Sequence, residues 1–156
     1  MKEVDDFKDE IELLFDEASR EMVELPDGLR EMGQALLARC HPLRSGGKAK
    51  SISFLLPYWL QEETGAPIEL CRDLSIGSVY VMLQYFILDD VMDGGGDRIQ
   101  SAGIRKSLSL AQMLGVMSRG RYARYFAPNS LIWSYERQYV EQWSTAVTRE
   151  ALESVN

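Results

Sequence analysis

Leu74-Ser75-Ile76-Gly77-Ser78-Val79-Tyr80-Val81-Met82-Leu83-Gln84-Tyr85-Phe86-Ile87-Leu88-Asp89-Asp90-Val91-Met92-Asp93 is the stretch whose reading decides the fold. Read as a helix, Leu74 to Leu88 is apolar nearly all round, interrupted by Ser75, Ser78 and Gln84. Such a helix is central to its fold, because every side must be covered. The run is short of the ~20 apolar residues that span a bilayer, so it predicts a buried core helix rather than a membrane span. It ends without a polar transition on three carboxylates. Asp89 and Asp93, four apart, share a face with Cβ atoms ~5–6 Å apart. Asp90 lies about 100° round the helix and can support its neighbours. Clustered acids repel one another, and they lose solvation beside a core. The macrodipole at a helix C-terminus disfavours each by a further ~0.3–1 kcal/mol. A divalent cation relieves these penalties. An all-oxygen ligand set suits Mg²⁺, which takes one or two carboxylates, keeps several waters and is completed by phosphate oxygens. The alternative is a solvated acidic helix end closed by Gly94.

Working outward, Gly94-Gly95-Gly96 stops this helix, and Asp97 or Ser101 caps another running to about Met117. Ser118 to Asn129 is a basic, aromatic segment, and a last helix covers about 129–153. Upstream, Val4, Phe7, Ile11, Leu14, Phe15, Ala18 and Met22 mark an amphipathic helix over 3–24. Leu25-Pro26-Asp27-Gly28 turns the chain into a helix over 28–40, and His41 to Gly47 forms a loop. A third helix is expected over about 48–63, kinked or started late by Pro57. Gly65-Ala66-Pro67 then leads into the central helix. No strand pattern is present. The expectation is an all-α chain, one helical domain over residues 1–156.

An apolar content of 46% is enough for a real core, and a net charge of −7 excludes nucleic acid as a partner, since that needs a basic stripe. The acids of Glu3 to Glu31 read as a solvated helix face. Cys40 and Cys71 lack metal spacing and read as reduced core thiols of a cytoplasmic protein. His41 has no partner histidine, which argues against zinc. Met1-Lys2 leads into an acidic amphipathic stretch that does not read as a signal peptide. Trp133, Tyr139 and Trp143 share a face of the last helix and read as core, with a partner surface as the alternative.

Leu43-Arg44-Ser45-Gly46-Gly47-Lys48 and Phe86-Ile87-Leu88-Asp89-Asp90-Val91-Met92-Asp93 together resemble the class I isoprenoid synthases, the terpene synthases and trans-prenyl diphosphate synthases. Asp89, Asp90 and Asp93 match the first aspartate-rich motif, DDxxD, and Gly46-Gly47-Lys48 resembles the GGK of the diphosphate-binding stretch. The likeness covers about residues 40–97. It implies an antiparallel helical bundle of the isoprenoid-synthase type, here its N-terminal half. It also implies Mg²⁺ held by Asp89, Asp90 and Asp93, and a prenyl diphosphate substrate touched by Arg44, Lys48, Tyr85, Phe86 and Arg98. Tyr85 occupies the place where a bulky residue limits product length in the prenyl synthases.

The departures from the family pattern sharpen the expectation. Ala49 and Ser51 stand where the prenyl synthases carry arginines after GGK, and the arginine pair after DDxxD is reduced to Arg98, with Arg105 and Lys106 further on. A second diphosphate needs that basic set. The resemblance therefore implies a Mg²⁺-dependent terpene cyclase that ionises a prenyl diphosphate. The alternatives are a prenyltransferase elongating an allylic diphosphate with isopentenyl diphosphate, and a non-catalytic helical binding subunit. Nothing after Asp97 matches the family's second metal motif. The chain is thus expected to pair with a complementing C-terminal segment or to associate with itself as a homo-oligomer, covering the apolar side of its central helix.

Overall fold

Ile11, Leu14, Phe15, Ala18 and Met22 fall on one stripe of a helix, and the chain buries all five. In the computed structural model, which describes residues 2–44, 52–94 and 103–153, this stripe belongs to α1 (Lys8–Met22). A 3-10 turn, Val4–Phe7, leads into it, and the Glu3 amide donates to Asp6 Oδ2 at 2.7 Å across that turn. Helix α2 (Arg30–Cys40) returns along α1. Their close approach is set by Gly33, where a Cβ would stand 2.8 Å from Met22 Sδ. Pro57 resolves as a late start: α3 (Leu56–Thr64) carries it in the first turn, where no amide partner is lost. Gly65, at φ 64°, closes α3 by donating to the Gln61 carbonyl at 2.8 Å.

The central helix is α4 (Ile68–Met92), followed by α5 (Ile104–Ala123) and α6 (Leu131–Glu153). The described residues contain six α-helices and no strand, and they form the antiparallel helical bundle expected of an all-α chain. Helix α5 runs six residues past its expected end at Met117, because Ser118 and Arg121 are both buried against the bundle. The expected caps Asp97 and Ser101 lie outside the described residues, and Gly103 precedes the first turn.

Helices α4 and α5 make the most extensive contact in the bundle. They run antiparallel: Gly77 faces Tyr122, the Ser78 and Tyr122 hydroxyls are 3.3 Å apart, and Gln84 faces Gly115. Two glycines let the backbones approach, with unequal consequences. A Cβ on Gly77 would stand 2.6 Å from Cε1 of the Tyr122 ring, which cannot fold away. A Cβ on Gly115 would meet only the mobile amide of Gln84, also at 2.6 Å. Gly77→Ala is therefore expected to destabilise the chain by ~1–3 kcal/mol, and Gly115→Ala by clearly less, as read by the urea midpoint.

By length and composition α4 is the one described helix that could cross a membrane. One side of it is packed, with Ile76, Val79, Tyr80 and Leu83 buried, and 39% of its most apolar stretch is buried in all. It also carries a buried carboxylate, Asp73.

That carboxylate belongs to an ion cluster joining α1, α4 and α5. Arg121 is 3% exposed. It donates to Glu17 at 2.7 Å, to Glu21 at 2.6 and 3.0 Å, and to Asp73 at 2.5 Å. Arg124 reaches the same Asp73 oxygen at 3.1 Å, and the Tyr125 hydroxyl donates to the other at 2.5 Å. Tyr80 donates to Glu21 at 2.7 Å. Burial alone would raise the Asp73 carboxyl, but hydrogen bonds from Tyr125 and Arg121 and the nearby guanidinium charges outweigh it and hold the group below its ordinary value. A second pair joins α1 to α4, with Arg72 on Glu10 at 2.8 and 3.0 Å and Tyr58 donating to the same carboxylate at 3.0 Å. The acids of α1 expected to face solvent thus include three, Glu10, Glu17 and Glu21, that are spent on internal contacts.

The lone histidine is internal too. His41 is buried against Phe15, with ring centroids 4.3 Å apart, and its Nδ1 accepts the Leu43 amide at 3.2 Å. Burial lowers its affinity for a proton. Cys40 and Cys71 are free thiols, and burial pushes Cys40 up to about 12.

Candidate active site

The final turn of α4 presents the aspartates. The Asp93 amide donates to the Asp89 carbonyl at 2.9 Å, and Gly94, at φ 88°, ends the helix. Asp89 and Asp93 are exposed and Asp90 is half-buried. Among the described residues, no group of three histidine, cysteine, aspartate or glutamate side chains is gathered closely enough to hold a metal ion. What α4 itself offers is an open carboxylate pair on adjacent turns. That donor set fits Mg²⁺, which needs one or two carboxylates and keeps its waters, and it does not fit a closed all-protein cage.

A groove of about 690 Å³ lies between α4, α5 and α6, and none of the three aspartates lines it. Such a volume suits one small molecule. The α4 wall is Val81, Gln84, Tyr85 and Leu88, so the groove reaches the residue immediately before Asp89. The α5 wall includes Gly115, Val116 and Tyr122, and the α6 wall includes Ile132, Tyr139, Val140 and Trp143. Tyr85 stacks on Trp143 across the groove, centroids 4.3 Å apart and planes 22° apart. Burial raises the Tyr85 phenol above its ordinary value. At the far end Arg119 is paired with Glu136.

The residues expected to touch substrate are placed unequally. Tyr85 lines the groove. Phe86 does not: it is 39% exposed on another side of α4, the stripe it shares with Asp89 and Asp93. Arg44 donates to Glu12 at 2.5 Å, close to Glu10 and hence to Arg72. Arg72 lies seventeen residues before Asp89, roughly 25 Å along the helix axis, so the one α1 turn that holds Arg44 also meets α4 far from the aspartates. Lys48 and Arg98 lie outside the described residues, as do Gly46, Gly47 and Asp97.

The antiparallel pairing brings in groups that spacing alone did not assign. The amino end of α5, with Arg105 and Lys106 in its first turn, stands at the same end of the bundle as Asp89 and Asp93. A helix amino end carries partial positive charge and favours an anion. Lys106 also reaches the α1–α2 turn, where its Cε is 3.3 Å from the place a Cβ on Gly28 would occupy. Helix α6 departs from its expected role: none of its residues is buried, and Tyr139 is 61% exposed. Its aromatics form one wall of an open groove instead of filling a core. In comparison with known proteins, no family model, curated protein or solved structure matches the chain.

Proposed function

We propose that the chain is a class I terpene synthase, or the part of one that seats the substrate. The prenyl tail lies in the α4–α5–α6 groove, and the diphosphate binds through Mg²⁺ at Asp89 and Asp93. The single observation carrying this reading is one helix that offers both parts: Val81, Tyr85 and Leu88 line an apolar, aromatic groove, and Asp89 and Asp93, on the neighbouring face of the same helix end, form an exposed carboxylate pair. When bound, Mg²⁺ supplies Lewis-acid stabilisation of the charge that develops on the departing diphosphate. The remaining work belongs to side chains. Arg105, Lys106 and the α5 amino end attract the anion. Val81, Leu88 and Val140 give the allylic cation that diphosphate loss leaves behind an apolar wall without a nucleophile. The stacked Tyr85 and Trp143 rings leave their outer faces for a cation–π contact that can steady that charge and guide cyclisation.

A second reading has its own support. The described carboxylates form an open pair, not a gathered group, which favours a non-catalytic subunit that binds the same amphiphile. Incubation with geranyl or farnesyl diphosphate and Mg²⁺ separates the two. The synthase reading expects released diphosphate and a cyclic hydrocarbon, both lost on adding EDTA. Binding of the prenyl diphosphate without any release identifies the binding subunit.

A further inference from the structure

A second cavity, of about 630 Å³, lies on the outer flank of the α5–α6 pair against Phe126, Pro128 and Trp133. The groove described above lies on the inner flank, against α4. Arg119 and Glu136 line both cavities. They are paired across the two helices: Arg119 Nε and Nη2 donate to one Glu136 oxygen at 3.1 and 3.0 Å, and Nη2 reaches the other at 3.1 Å. The pair is the partition between two largely apolar spaces. Beside it, Gly120 has no atom within 4 Å of where a Cβ would stand, so the outer side is open at that level.

We propose that the Arg119–Glu136 ion pair is a removable wall that limits the length of the apolar chain the groove accepts; this rests on the groove being the seat of a prenyl tail. The two partners differ in how freely they can move. The Arg119 side chain is 63% exposed and can swing into water, but that of Glu136 is only 25% exposed. A chain long enough to pass the wall would unpair Glu136 and press an apolar end against a half-buried carboxylate, which is unfavourable without a partner. A chain that stops short leaves the pair intact. Without both charged groups the two cavities become one continuous apolar channel, and each further methylene buried there raises affinity about fourfold.

The test uses monomeric octyl, decyl, dodecyl and hexadecyl phosphates, titrated calorimetrically without Mg²⁺. Wild-type affinity is expected to rise with chain length and then level off. In Arg119→Ala/Glu136→Ala it should keep rising, with hexadecyl phosphate bound at least about tenfold more tightly than by wild type. Arg119→Met/Glu136→Leu, which restores the bulk without the charge, should recover the plateau only in part. If the double alanine variant loses helicity by circular dichroism, Glu136→Gln carries the test and should raise hexadecyl affinity alone. A length profile identical in wild type and variants overturns the proposal, as does failure of every alkyl phosphate to bind. Because metal and diphosphate are absent, a shifted plateau without Mg²⁺-dependent diphosphate release leaves the wall standing and sinks only the synthase reading.

Discussion

Arg121→Met is expected to destabilise the chain by about 3–5 kcal/mol, the largest stability effect of any substitution considered for this fold. The guanidinium is 3% exposed and bonded to Glu17, Glu21 and Asp73 on two other helices. Removing it strands three carboxylates around one point, with Arg124 the one cation among the described residues that remains bonded to any of them. Methionine keeps the apolar stem, so lost packing contributes little and the unpaired charges dominate. The urea midpoint reads the effect. A loss below ~1 kcal/mol would place this pair among ordinary surface contacts. The cluster also fixes a pH dependence. The folded Asp73 carboxyl lies below its ordinary value of 3.8, so the unfolded chain takes up the proton first as pH falls. Its contribution is complete well above 3.8 and is lost as pH falls from there through the lower folded value. Asp73→Asn should remove that part of the acid sensitivity, measured as the change in stability across the same window.

Asp89→Ala is expected to reduce Mg²⁺-dependent diphosphate release by at least about a hundredfold, and Asp93→Ala to a similar extent. Asp90, about 100° round the helix from Asp89, should matter less. The stability readout runs the other way. These carboxylates sit in the last turn of α4, where the helix dipole opposes negative charge, so each alanine should leave stability unchanged or raise it by ~0.3–1 kcal/mol. Lower activity with equal or greater stability marks residues kept for binding. Lower activity with lower stability would mark them as structural.

The central helix was readable because its pattern is local: an apolar run, a glycine stop and acids with no polar transition need only neighbouring residues to interpret. The late start of α3 was similarly legible from Pro57, which has one comfortable place at a helix beginning. The ion cluster was not read. Glu10, Glu17 and Glu21 look like a solvated face until Arg72 and Arg121, from far along the chain, are set against them. A signal was present in their spacing, since these acids recur at helical steps beside the buried stripe rather than opposite it. The same blindness to distant partners ended α5 at Met117: Arg121 and Tyr122 read as part of a basic, aromatic segment after the helix because their contacts on α1 and α4 are invisible in one dimension.

The candidate site shows the same division. Asp89, Asp93 and Tyr85 were identifiable from the motif and its preceding turn. Trp143, Arg105 and Lys106 were not assigned, because their relation to Asp89 depends on the antiparallel register of α4 and α5 and on where α6 lies. Trp133, Tyr139 and Trp143 have helical spacing that suits a core. They line or flank open cavities instead, because among the described residues α6 packs lightly on the bundle and buries no residue completely.

The most direct test of the account is calorimetric titration of Mg²⁺ into the folded chain, with and without a farnesyl diphosphate analogue that cannot ionise. The account predicts Mg²⁺ uptake in the presence of the analogue, weak or absent uptake without it, and loss of the difference in Asp89→Ala. No Mg²⁺ uptake with the analogue bound, or uptake unchanged in Asp89→Ala, would contradict the claim that the carboxylate pair at the end of α4 exists to hold a prenyl diphosphate.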